Sequence, residues 1–172
     1  RDIEHARHIV SQNFCAHELI PGQSHRDFDT CHNHAAGLTL YLNYLRYGCE
    51  SSIDPGELGN FYLVQIPIKG TAYVKNGTRQ VEATPRTATV LNPTRETRMT
   101  WNRGCEKLLL QINRDALHKT AETLTGQALN HAVVFDPEVK LGSQAMRNWM
   151  PKLRAAVLLA QNSCAFGVNM HR

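Results

Sequence analysis

"TAYVKNGTRQVEA", residues 71–83, is the stretch on which the fold turns. Ala72 and Val74 alternate with Tyr73 and Lys75, and Val81 and Ala83 with Gln80 and Glu82. Alternation of this period suits a strand with one face in a core. Between the two runs stands Asn76-Gly77, the dipeptide that best tolerates the positive φ of a type I′ turn. The stretch therefore predicts an antiparallel hairpin.

Its neighbours read the same way. Upstream lie "GLTLYLNYLRYG" (37–48) and "NFYLVQIPIKG" (60–70), both rich in β-branched and aromatic residues. Downstream lie "TATVLNP" (87–93), "ETRMTW" (96–101) and "CEKLLLQI" (105–112). Pro93-Thr94 and Asn102-Arg103-Gly104 punctuate them. About eight short strands with tight turns predict an antiparallel sandwich or barrel.

The period changes on both sides. Asp2 caps an expected first helix with Ile3, Ala6, Val10 and Phe14 on one face, and a loop runs on to residue 36. After the strands, Asn113 is an N-cap, Leu117, Ala121 and Leu124 mark one face, and Gly126 is a terminator. A longer helix is expected over 141–162, with Met146, Trp149, Met150, Leu153, Val157 and Ala160 in a stripe. Pro151 lacks an N–H, so it is expected to kink this helix or start a second one. Leu158 and Leu159 lie off the stripe. They are assigned, with Leu117 and Leu124, to a two-fold dimer contact.

Composition narrows the function classes. The 42% hydrophobic and 20% charged content is that of a globular chain. No apolar run approaches the roughly 18–20 residues of a membrane span. No membrane partner is expected. The five cysteines (15, 31, 49, 105, 164) form no Cys-x-x-Cys and are odd in number. Reduced thiols and a cytoplasmic location are the simplest reading. The formal net charge of +4 is spread singly, without the dense basic run of a nucleic-acid patch.

"LTLYLNYLRYG", "NFYLVQIPIKGTAYVKNG" and "ATVLNPTRETRMTWNRGCEKLLLQINRDALHKTAETLTG", all within residues 38–126, together resemble the N-terminal effector-binding domain of AraC/XylS-family transcription regulators. "YLRYG", "FYLVQIPIKG" and "VLNPTRETRMTW" followed by "LLLQINRDAL" carry most of the likeness. The resemblance implies a mainly β fold with flanking helices: a cupin-like antiparallel barrel, or jelly roll, followed by C-terminal helices. It divides the chain into an N-terminal helix and loop (1–36), a barrel sensor (37–112) and a helical dimerisation or linker region (113–172). It also implies a small-molecule effector, with an aromatic acid or amine indicated, and a homodimer. DNA would be bound only through a C-terminal helix-turn-helix domain, of which nothing is legible before Arg172.

Polar residues amid apolar strand residues are the expected ligand-orienting groups. Tyr44 and Arg46 share one face of their strand, and Gln65, Trp101 and Gln111 hold comparable positions in theirs.

His32 and His34 point to a rival reading, a metal-dependent cupin-like dioxygenase or isomerase. Such sites need three or four ligands. The glutamate expected four or five residues after His34 is replaced by Leu38 and Thr39, and the position of the second-motif histidine is Val90. No metal, no other cofactor and no catalytic residue is therefore assigned, and the histidines are expected on a loop or strand edge, partly solvated. A sensor that has lost its ligand and only dimerises is a third reading.

Overall fold

The computed structural model describes Phe14, residues 18–22 and residues 29–162. The expected first helix therefore lies outside the described residues, Phe14 apart. Eleven strands are described: β1 (Glu18–Pro21), β2 (Cys31–Ala36), β3 (Leu40–Arg46), β4 (Ser51–Gly56), β5 (Phe61–Lys69), β6 (Ala72–Asn76), β7 (Arg79–Ala83), β8 (Thr87–Leu91), β9 (Thr97–Trp101), β10 (Glu106–Asn113) and β11 (Glu138–Lys140). Two helices join them, α1 (Arg114–Thr125) and α2 (Gln144–Asn162).

The strands form two antiparallel sheets, ordered β1-β4-β9-β6-β7 and β11-β8-β5-β10-β3-β2. Leu19, Ile53, Val74, Met99 and Trp101 of the first meet Leu45, Phe61, Leu63, Leu91 and Leu109 of the second in one buried core. The larger sheet is covered on its other face as well. There Leu42, Ile66 and Leu110 pack with Leu153 and Ala160 of α2, flanked by Trp149, Met150 and Val157. The molecule is a jelly-roll-like β-sandwich followed by C-terminal helices.

The hairpin forms as the alternation predicts, but its turn sits one residue later. Asn76 pairs with Arg79, leaving Gly77-Thr78 as the two-residue loop, with Gly77 at φ 61°. Asn76 is instead a buried hub. Its amide oxygen accepts from the backbone N–H (3.0 Å) and the side-chain amide (3.0 Å) of Asn92, while its own amide donates to Thr97 Oγ1 (3.0 Å). A side chain so engaged holds the turn end against the β8–β9 connection, and interior hydrogen bonding decided the register over turn propensity.

Two further expectations are corrected. The stretch assigned to an N-terminal loop contains β1 and β2, which pair with β4 and β3. These strands are short or lie at a sheet edge, where alternation is weak. Residues 138–140, expected in the linker ahead of the longer helix, form β11 against β8. Of the two outcomes expected at Pro151, the start of a second helix does not occur: the proline lies inside α2, which continues through it. The caps of α1 agree with the sequence. Asn113 accepts from the backbone N–H of Ala116 at 2.9 Å, and Gly126 ends the helix in the left-handed region (φ 68°).

Candidate functional site

Strand parity builds the interior. On β5, Phe61, Leu63 and Gln65 point between the sheets. On β10, Leu109 does so, flanked at two-residue spacing by Lys107 and Gln111. Phe61, Leu63, Gln65 and Leu109, with Leu45, Tyr47, Ile53, Leu58, Met99 and Trp101 and with Phe14 of the N-terminal segment, line a small apolar cavity of about 40 Å³; Lys107 stands behind Gln65 and Trp101 rather than in its wall. That volume admits a water or two and is well short of the ~150 Å³ known to hold a benzene ring.

Gln65 and Trp101 converge with a residue that the sequence analysis missed. Lys107 is fully buried. Its Nζ donates to Gln65 Oε1 at 2.5 Å and lies 4.3 Å from the centre of the Trp101 ring. Gln65 in turn directs its amide N–H at the Met99 sulfur, 3.0 Å away. The Tyr47 ring stands 5.3 Å from that of Trp101. Burial dominates the electrostatics. It lowers the Lys107 ammonium to about 7, with partial opposition from the neighbouring Cys105 thiol. It also pushes the Tyr47 phenol and the Cys105 thiol up, so both stay neutral.

A second, more polar hollow of about 290 Å³ adjoins the cavity, since Phe14 and Phe61 line both. Gln111 opens onto it with His34, Tyr41, Asn60 and Asn113. The Gln111 Oε1 atom is buried without a hydrogen-bond partner among the described residues.

Tyr44 and Arg46 are not in either hollow, which corrects their assignment. They lie on the opposite face of β3, that of Leu42. The Tyr44 hydroxyl donates to Glu106 Oε2 at 2.8 Å, and burial followed by that carboxylate pushes its phenol up to about 12. Arg46 pairs with Asp29 at 2.7 Å on the surface. The inward face of β3 carries Tyr41, Asn43, Leu45 and, just past its end, Tyr47. Because α2 covers Leu42 on the outer face, each face of β3 mixes apolar and polar residues, and polarity alone did not reveal which parity points inward. Lys107 had a legible signal: it shares the parity of Gln111 in "CEKLLLQI".

The histidines do lie on an edge strand, as expected, but His32 is buried rather than partly solvated. Its Nε2 lies 3.0 Å from Asn43 Oδ1, and His34 Nδ1 lies 2.7 Å from the same atom. Burial lowers the His32 pKa, with the hydrogen bond to Asn43 opposing and His34 reinforcing the shift. Both rings thus converge on one amide oxygen. Among the described residues no group of three or more His, Cys, Asp or Glu is placed to hold a metal ion.

The residues assigned to a dimer contact differ in exposure. Leu124, Leu158 and Leu159 are exposed, at 81%, 58% and 70%. Leu117 is half-buried. No helix among the described residues is long and apolar enough to cross a membrane.

Comparison with known proteins fits this geometry. The AraC-binding-like domain family matches residues 6–164, nearly the whole chain. The chain belongs to that family. This AraC-type domain is also 29% identical, over 156 residues, to the probable thc operon regulatory protein of Rhodococcus erythropolis. The match covers 87% of the chain and 46% of that protein, so the chain spans about half the length of this curated relative. Among solved structures it resembles the AraC-like transcriptional activator CuxR, with TM-score 0.54 and 12% identity over 72% of this chain and 47% of that one. A looser likeness, TM-score 0.48 at 12% identity, links it to a putative glyoxylate-induced protein of Pseudomonas aeruginosa, covering 72% and 48% of the two chains. At such identity the likeness to CuxR speaks for the fold alone. The family match makes the AraC-type domain the N-terminal, regulatory sensing part of a transcription regulator.

Proposed function

We propose that this domain senses a small molecule inside its sandwich and pairs with a second copy to carry that signal to DNA-binding elements of the same regulator. The observation that carries the reading is the apolar cavity that ends on Gln65 and Trp101, beside buried Lys107. Small-molecule sites have this composition: apolar walls with a few placed polar groups. Their volumes begin near 300 Å³. Displacement of the Phe14 side chain would join the cavity to the adjoining hollow and reach that scale. Phe14 is therefore the side chain whose position decides access.

Transmission follows from the two-sided sheet. Leu109 lines the cavity, while Leu108 and Leu110 beside it pack towards α2. A ligand with different affinity for two arrangements of β10 shifts the docking of α2 by that difference. The exposed Leu124, Leu158 and Leu159 support a surface for the second copy. In this reading the chain is not an enzyme, works in the cytoplasm and meets DNA through other parts of the regulator.

A thermal-shift screen with catabolic metabolites, aromatic acids and amines included, tests the proposal. Binding at a hundredfold excess over Kd stabilises by about 2.7 kcal/mol, which moves the midpoint by roughly 5–10 °C for a chain this size. Gln65→Leu should abolish the shift. A shift unaffected by Gln65→Leu and Trp101→Phe would move the ligand elsewhere. Stoichiometric bound metal that disappears in the His32→Ala, His34→Ala double variant would favour the metal-dependent enzyme instead.

A further inference from the structure

Hydrogen-bond donors outnumber acceptors around Gln65 and Trp101, the polar residues of the cavity wall, and Lys107 directly behind them. An ammonium offers three N–H groups, and Lys107 has one oxygen partner, Gln65 Oε1, with the Trp101 ring beneath it. The Gln65 amide points its N–H at a thioether sulfur, a weak acceptor. Trp101 Nε1 is buried and has no hydrogen-bond partner among the described residues. Among the described residues no carboxylate pairs with Lys107; the surface ion pairs involve other residues. A buried cation without an anion is a costly arrangement, and a buried donor without an acceptor costs about 1–3 kcal/mol. The missing component is one compact group with several oxygen lone pairs.

We propose that the inner end of the cavity receives the carboxylate of an otherwise apolar small acid, held by Lys107 Nζ with Trp101 Nε1 and the Gln65 amide as further donors. This rests on the reading that the sandwich interior is the effector site, and it names the effector's chemical class. The cavity has room for a carboxylate and little more. The body of the acid would extend past Leu109 and Phe61 into the space that Phe14 now separates from the polar hollow.

Protonation gives the proposal a signature. Among the described residues, the ionisable groups around Lys107 are Cys105 at the foot of β10 and Tyr47 beyond the end of β3, both neutral through burial; β5 and β9 contribute Gln65, Met99 and Trp101. Lys107 is therefore the group that titrates near neutrality, at about 7. A carboxylate favours the ammonium, so acid binding at pH 8 draws in close to one proton.

The test is calorimetric titration of the full 172-residue chain with benzoate, its neutral isostere benzamide, and benzaldehyde. Benzoate should bind at least tenfold more tightly than benzamide. At pH 8 its apparent enthalpy should vary between buffers of different ionisation heat, reporting proton uptake. Lys107→Met should remove both the preference and the uptake, with circular dichroism confirming the fold. Trp101→Phe, which keeps the ring and loses the N–H, should weaken benzoate binding at least threefold and guards against loss of fold in the lysine variant. Equal binding of benzamide, or benzoate binding that survives Lys107→Met, overturns the carboxylate site while leaving the sensor reading to its own screen. Binding by none of the three overturns it as well. So does a borohydride-trapped adduct of benzaldehyde on Lys107 without benzoate binding, which would make the amine a carbonyl receptor.

Discussion

Lys107 is held by its surroundings at the expense of its charge. A lysine in the unfolded chain titrates near 10.4, and burial lowers this one to about 7. Between those values the folded state binds fewer protons than the unfolded state. Stability therefore rises with pH across that window, by roughly 1 kcal/mol per unit, and falls towards its low plateau below pH 7. Above about pH 9 the buried Tyr47 phenol, whose pKa is raised, works in the opposite direction. Urea unfolding at pH 6, 7, 8 and 9 should show the rise in the native chain. Lys107→Met should flatten it and be the more stable protein at pH 6. A native profile that is flat from pH 7 to 9 would mean that the amine is solvated or paired. The same reasoning applies to the histidines. Asn43 is fully buried, its Nδ2 has no partner among the described residues, and its Oδ1 faces both rings. Removing both imidazoles would orphan the whole amide, so the double substitution costs folding energy rather than passing silently.

At the scale of elements, two glycines separate strain from crowding. Gly70 joins β5 to β6 at φ 69°, and Gly104 precedes β10 at φ 73°. A Cβ on Gly70 would stand 2.8 Å from the Cys105 Cα and 3.0 Å from its backbone nitrogen. One on Gly104 would meet nothing within 4 Å. Both alanine variants carry the penalty of the left-handed region, about 1–2 kcal/mol. Only Gly70→Ala adds a clash with backbone that cannot move without shifting β10 and Lys107. Gly70→Ala should lose at least twice the stability that Gly104→Ala loses, measured by chemical denaturation. Equal losses would show that the β5–β6 connection is free to shift. The α1 caps are a case where element and sequence agree, because capping is local: the Asn113 side chain and the Ala116 N–H are three residues apart.

Across the whole molecule, two cores share one sheet. Leu153 is 5% exposed against Leu42, Ile66 and Leu110, whereas Leu158 and Leu159 of the same helix face outwards. Leu153→Ala should cost about 2–5 kcal/mol and loosen α2 from the sandwich. Leu158→Glu or Leu159→Glu should leave the fold intact. In the proposed dimer each substitution is counted twice, so either should shift sedimentation towards monomer. An unchanged dimer would exclude that face as the contact. An unfolded Leu158→Glu chain would place the leucine in the intramolecular core after all.

The sequence by itself determined what depends on neighbours along the chain. The alternation of residues 71–83 specified a hairpin, Asn113 and Gly126 the ends of α1, and the spacing of Trp149, Leu153 and Val157 the docked stripe of α2. Its likeness to AraC-type domains specified the family. Only the tertiary structure decided which face of β3 points inward, because each face mixes apolar and polar residues and a shift of one residue exchanges Tyr44 and Arg46 for Asn43 and Leu45. It decided that β1 and β2 join the sheets, because the pairing partners of so short an edge lie more than ten residues away or across a loop. It also decided that Lys107 is buried. A lysine in a strand reads as a solvent-facing residue, and only the Gln65 carbonyl from β5 and the Trp101 ring from β9, far apart in the chain, give its ammonium an interior place.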